Sequence, residues 1–201
     1  MGNKYNSMCC IRNMGLPTVR FCGFTFDQVW TQEVQSFSEE LLSINGMFGV
    51  RTELAEGNNP LGHFPHGFPI FSMEMARNFV RSHGSSLFYI FNEGIPIERL
   101  IYNAVVYLED IFGRIKLGGE INYKSKSCLR DAMKDTENLI NISTICNSDV
   151  VKLRQRLLYD AGLVHGEVAE VSYFHGINNG PNRMIFWEIR YTCQSLVNSA
   201  K

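Results

Sequence analysis

The chain opens Met1-Gly2-Asn3-Lys4-Tyr5-Asn6-Ser7-Met8-Cys9-Cys10, a glycine behind the initiator methionine and then two adjacent thiols. Those residue types in that order suit acyl transfer. Gly2 offers an amine for myristate, and Cys9 and Cys10 offer thiols for palmitate. The key position of the strict Met-Gly-x-x-x-Ser/Thr pattern holds Asn6, with Ser7 one place late, so the segment follows a looser form of the signal. One myristoyl chain holds a membrane only marginally, and the paired cysteines would add the second anchor. The plainer alternative is a flexible start with a chance glycine and two free thiols.

A second chemistry needs a thiol and a base. Cys128 stands at the start of an expected helix, where the helix dipole lowers a thiol pKa. His165 and His175 flank a later expected strand, and Asn178 or Asp149 could orient either imidazole. These residues carry the alternative of a small cysteine-dependent hydrolase or transferase. The segment KSKSCLRD around Cys128 matches no nucleophile motif, so no catalytic residue is assigned. His63 and His66 form an HxxH in a Pro-rich loop with no Cys or acidic partner close in sequence, and no metal site is expected from them. Walker A, GxGxxG and GxSxG patterns are absent, so neither a cofactor nor a small-molecule substrate is implied.

Between Gly113 and Arg156 nine Lys and Arg stand against five Asp and Glu. Arg130 with Lys134, and Lys152 with Arg156, share helical faces at four-residue spacing and could meet an anionic leaflet or RNA. No Lys or Arg lies between Arg20 and Arg51, so an expected helix there is acidic outside, with Asp27, Glu33, Glu39 and Glu40.

These residues need a scaffold. Residues 1–17 read as a flexible, possibly acylated arm, and 18–201 as a single α+β domain. Thr18 to Phe24 suits a short strand. Thr25 with Gln28 forms a capping box before Phe26, Trp30, Val34, Phe37, Leu41 and Ile44, a helical stripe closed by Gly46. Residues 56–69 break regular structure. A second helix runs from Met73 to Ser82 between Ser72 and Gly84, and Leu87 to Phe91 is a buried strand. Pro96 opens a third helix with the stripe Ile97, Leu100, Ile101, Ala104, Val105, Leu108 and Ile111. Gly118-Gly119 suits the turn of a hairpin. Short helices near 128–139 and 149–161 and a hairpin of 167–174 with 183–193 complete the chain. The fold class is therefore α+β, helices packed on an antiparallel sheet of hairpins.

The chain has 201 residues, 45% hydrophobic and 19% charged, with net charge −1, an ordinary globular balance without the basic excess of a strong phosphate binder. No segment is long and apolar enough to span a bilayer, and the N-terminus lacks a secretory apolar region, so the default compartment is cytoplasmic. Six scattered cysteines suit reduced thiols. Together these features favour a non-enzymatic peripheral membrane protein anchored by N-terminal acylation at the inner face of a membrane. Its partners would be anionic lipids and another protein or a second copy, with RNA as a further candidate. A matrix-type protein of an enveloped RNA virus and an acylated pathogen effector both fit that description.

Overall fold

The computed structural model describes residues 4–56, 64–111, 114–123, 139–141, 167–176 and 180–191. Helices and antiparallel strands are present together, as the α+β reading expects, and the strands form two sheets. Contacts divide the chain into two compact units. One holds Val19–Pro96 with Lys4 and Tyr5, and the other holds Asn6–Thr18 with the described residues from Ile97 onward.

In the first unit, strands β1 (Phe21–Phe24), β2 (Phe48–Leu54), β3 (His66–Ile70) and β4 (Leu87–Glu93) are ordered β1-β4-β2-β3. Helix α2 (Gln32–Asn45) and helix α3 (Met73–His83) cover one face. Val34 and Leu41 of α2 and Ala76 and Val80 of α3 pack there with Phe48, Val50, Tyr89 and Phe91 of the sheet. The stripe expected from Phe26 to Ile44 is interrupted. Residues Asp27–Trp30 tighten into a 3₁₀ turn, and Thr31 is extended, with its Oγ1 accepting the Val34 N–H at 3.5 Å. Thr25 still pairs with Gln28, its N–H donating to Oε1 at 2.9 Å, but the 3₁₀ turn begins after Phe26, which makes no side-chain cap bond. Gly46 ends α2 at φ 71°, a conformation only glycine adopts without cost. Helix α3 matches its expected span, capped by Ser72 and stopped by Gly84. Strands β2 and β3 had no expected counterpart. Pro69 sits in β3, an edge strand where a missing N–H is tolerated.

In the second unit, strands β5 (Leu100–Ile111), β6 (Arg114–Tyr123), β7 (Leu139–Asn141), β8 (Glu167–Phe174) and β9 (Arg183–Tyr191) are ordered β7-β6-β5-β8-β9. The helix expected from Pro96 to Ile111 is corrected to a 3₁₀ turn, Ile97–Arg99, followed by β5. The hairpin expected to turn at Gly118-Gly119 is also corrected. Both glycines lie inside β6 opposite Tyr107 and Val106, and Ile111 faces Arg114 where β5 and β6 meet. The final hairpin is borne out as β8 and β9.

The flexible arm is corrected as well. Lys4–Asn13 form helix α1, and Ile11 packs with Leu16 against Tyr102, Ala104, Val171 and Phe186 of the second sheet. Ser7, buried, ties the helix to β9, since its Oγ accepts the Ile189 N–H at 2.8 Å and donates to the Ile189 carbonyl at 3.0 Å. The short helices expected near 128–139 and 149–161 fall outside the described residues, apart from Leu139 in β7.

Candidate functional site

Strands β5, β8 and β9 alternate, and the alternation separates core from chemistry. Tyr102, Ala104, Val106, Ala169, Val171, Tyr173, Met184 and Phe186 face the core. The opposite face carries Asn103, Glu170, Ser172 and Glu188. The register sets Asn103 opposite Ser172 and Glu170 opposite Glu188, with a bulge after Glu170 that admits Trp187 as an extra residue of β9. Trp187 Nε1 donates to Ser172 Oγ at 2.7 Å, and Ser172 Oγ donates to Asn103 Oδ1 at 2.6 Å. Asn103 and Ser172 are buried, and Glu170 and Glu188 are half-buried. Two carboxylates directly opposite each other repel unless a cation or donor lies between them.

The first unit has its own polar face, on the side of its sheet away from α2 and α3. Gly49, Arg51 and Glu53 of β2 alternate with its core residues, and Asn92 of β4 lies opposite Gly49. Asn92 is buried. Its Nδ2 donates to the Glu93 carbonyl at 2.9 Å, and its Oδ1 is a buried acceptor without a hydrogen-bond partner among the described residues. A Cβ on Gly49 would stand 3.2 Å from that amide nitrogen, so the missing side chain makes room for Asn92. Glu93, also buried, accepts the Arg20 N–H at 3.3 Å and the Asn45 amide at 3.4 Å.

Among the described residues, those singled out from sequence are not brought together. Cys9 and Cys10 lie half-buried on α1, with Arg12 Nη2 3.9 Å from Cys9 Sγ. His175 follows β8 and is exposed, and its backbone carbonyl accepts Arg99 Nε at 3.0 Å and Nη2 at 2.8 Å. His66 is exposed on β3. Gly2, His63, Cys128, His165, Arg130, Lys134, Lys152 and Arg156 lie outside the described residues. Among the described residues no group of three or more His, Cys, Asp or Glu is placed to hold a metal ion, and no helix is long and apolar enough to cross a membrane.

Sequence reasoning missed Glu170, Ser172 and Glu188. The signal was available. In Val168-Ala169-Glu170-Val171-Ser172-Tyr173 the polar residues share one parity, and Glu188 interrupts an otherwise apolar run.

No family model matches the chain, and no curated protein matches it in sequence. Its fold does match solved structures. D-alanyl-alanine synthetase A from Vibrio cholerae aligns with TM-score 0.51 at 10% identity over 94% of this chain and 55% of that one. N5-carboxyaminoimidazole synthase from Aspergillus clavatus, in complex with ADP and its aminoimidazole ribonucleotide, aligns with TM-score 0.52 at 14% identity over 93% and 43%. The carboxyaminoimidazole ribonucleotide synthase from Aspergillus clavatus complexed with ATP aligns with TM-score 0.52 at 13% identity over 93% and 44%. The chain spans about half the length of the solved proteins it matches. Identity this low establishes the fold alone. The shared fold nevertheless corrects the expectation of a non-enzymatic, acylated, matrix-like membrane protein, because the scaffold is one found in a synthetase and in synthases.

Proposed function

We propose that this chain is the nucleotide-binding part of a ligase of the ATP-grasp kind. The observation that carries the reading is the fold shared over 93% of the chain with synthases whose structures hold ADP or ATP. A fold hosts many functions, so the reading also needs residues that fit the ligand. Glu170 and Glu188 supply them. Magnesium is commonly held by one or two carboxylates together with the phosphates of its nucleotide, and the register sets Glu170 directly opposite Glu188 in half-buried positions. Ser172 already donates to Asn103 and accepts from Trp187, so its hydroxyl fixes both side chains on the face that carries the pair. When bound, ATP would supply the phosphoryl group that makes bond formation in water favourable.

Binding, rather than turnover, is the measurement suited to a chain of this length. ATP is titrated into the full chain with Mg²⁺ and then with excess chelator, using wild type and a Glu170→Gln, Glu188→Gln variant. The expected result is Mg²⁺-dependent binding that weakens by about tenfold or more, about 1.4 kcal/mol, in the variant. Affinity indifferent to both chelation and substitution removes the pair from the site. Absence of any ATP binding overturns the nucleotide reading.

A further inference from the structure

On the outer flank of the first unit, two arginines of α3 share one aromatic ring. The Arg77 guanidinium lies 5.9 Å from the Trp30 ring centroid and that of Arg81 lies 4.8 Å from it. Arg81 Nη1 donates to Asn78 Oδ1 at 2.9 Å, which fixes its fork. Neither guanidinium has a carboxylate within ion-pair distance among the described residues, and Arg77 Nε is a buried donor without an acceptor. Like charges four residues apart on a helix repel. Here the electron-rich indole holds them together, and Phe26 packs edge-on against Trp30 at 5.9 Å, so the ring is braced.

We propose that this surface docks a phosphorylated segment of a partner protein, with Arg77 and Arg81 gripping the phosphate beside Trp30. Paired guanidinium forks match a phosphate dianion in geometry and charge. The setting selects the carrier. The patch is the flank of a helix with Arg81 exposed, whereas small molecules are held in concave sites that cover most of their surface. A phosphate held here therefore needs further contacts from a larger partner. Asp27, Glu33 and Glu74 lie on the same or adjoining elements, and the chain carries net charge −1. One phosphate fits such a surface, while the many phosphates of a nucleic acid would meet these carboxylates.

The test is fluorescence anisotropy of a labelled short Gly/Ala peptide carrying one central phosphoserine, titrated with the full chain. The expected result is binding about tenfold tighter than that of the unphosphorylated peptide. Arg77→Gln with Arg81→Gln should abolish that preference, and Arg77→Lys with Arg81→Lys should keep part of it, since charge remains and the fork is lost. Far-UV circular dichroism and the urea midpoints of the variants confirm that they are folded. Equal binding of the two peptides, or a preference that survives the double Gln variant, overturns the proposal. Inorganic phosphate competing as strongly as the phosphopeptide overturns the protein segment as occupant. An oligouridylate that binds more tightly than the phosphopeptide assigns the surface to nucleic acid and overturns it too.

Discussion

The carboxylate of Glu53, 1% exposed, accepts the backbone N–H of Tyr5 at 3.2 Å. Tyr5 lies in the first turn of α1, where amides have no intrahelical acceptor and carry the positive end of the helix dipole. A strand carboxylate thus does for α1 what a local capping side chain does elsewhere. Glu53→Ala removes the acceptor and should cost about 1–3 kcal/mol, whereas Glu53→Gln keeps an amide oxygen and should cost less. Urea unfolding followed by Trp30 fluorescence checks the order. Equal losses for the two variants would show that the carboxylate charge matters and that a neutral oxygen in the same volume does not replace it.

The Tyr5 ring is held as firmly as its amide. It meets Phe21 at 5.8 Å and Phe88 at 5.3 Å, both edge-on, above Gly23. A Cβ at position 23 would overlap the Phe88 and Tyr5 rings. Gly23→Ala should therefore destabilise by overpacking, about 1–3 kcal/mol, although Ala suits a strand better than Gly. Neutral or improved stability in denaturant unfolding would mean that the rings move aside freely.

How much of this was legible in the sequence depends on burial. Helix α3 is amphipathic, with Ser72 before it and Gly84 after it, and it was read within a residue of its true end. Strand β8 alternates cleanly and was read as well. Strand β5 is central in its sheet, with Tyr102, Ala104 and Val106 in the core and Asn103 buried on the other face. A strand buried on both sides reads as a continuous apolar run and fits a helical stripe as readily as a strand. Its aromatic and β-branched composition, Ile101, Tyr102, Val105, Val106 and Tyr107, was the better guide. Helix α1 was hidden because its anchors are few. Met8 and Ile11 are its buried hydrophobics, and the adjacent cysteines between them fit an acylation signal equally well. The candidate site was the least legible part. Glu170 and Glu188 lie on different strands, and the register that opposes them exists only in the fold.

Phe91 tests the core of the first unit. It is fully buried, edge-on to Phe24 at 5.5 Å and stacked on Phe48 at 5.6 Å. Phe91→Ala removes both ring contacts from a site walled by strands and α2 and should cost about 3–5 kcal/mol. Phe91→Leu should recover much of that. A loss under about 1 kcal/mol for the Ala variant would show that the surrounding rings collapse into the space.

Tyr89 links stability to pH. Its side chain is buried, and its hydroxyl donates to the Gly84 carbonyl at 2.5 Å with the Val80 carbonyl 3.2 Å away, joining β4 to the end of α3. Burial penalises the phenolate and raises the pKa above its ordinary value of about 10. The sign of the linkage follows. Below about pH 10 the phenol is protonated in both folded and unfolded chains, so its stabilising contribution is present in full. Above that pH the unfolded chain releases the proton while the folded chain keeps it, so stability falls as pH climbs through the raised folded value. Tyr89→Phe removes the hydrogen bond, at a cost of about 0.5–1.5 kcal/mol near neutral pH, and removes this term from the alkaline slope. Urea midpoints for wild type and variant, compared from neutral to strongly alkaline pH, isolate Tyr89 from the other tyrosines. The gap between the two proteins should be constant below about pH 10 and close above it. A gap that stays constant through the alkaline range would mean that the folded protein ionises Tyr89 as easily as the unfolded chain does.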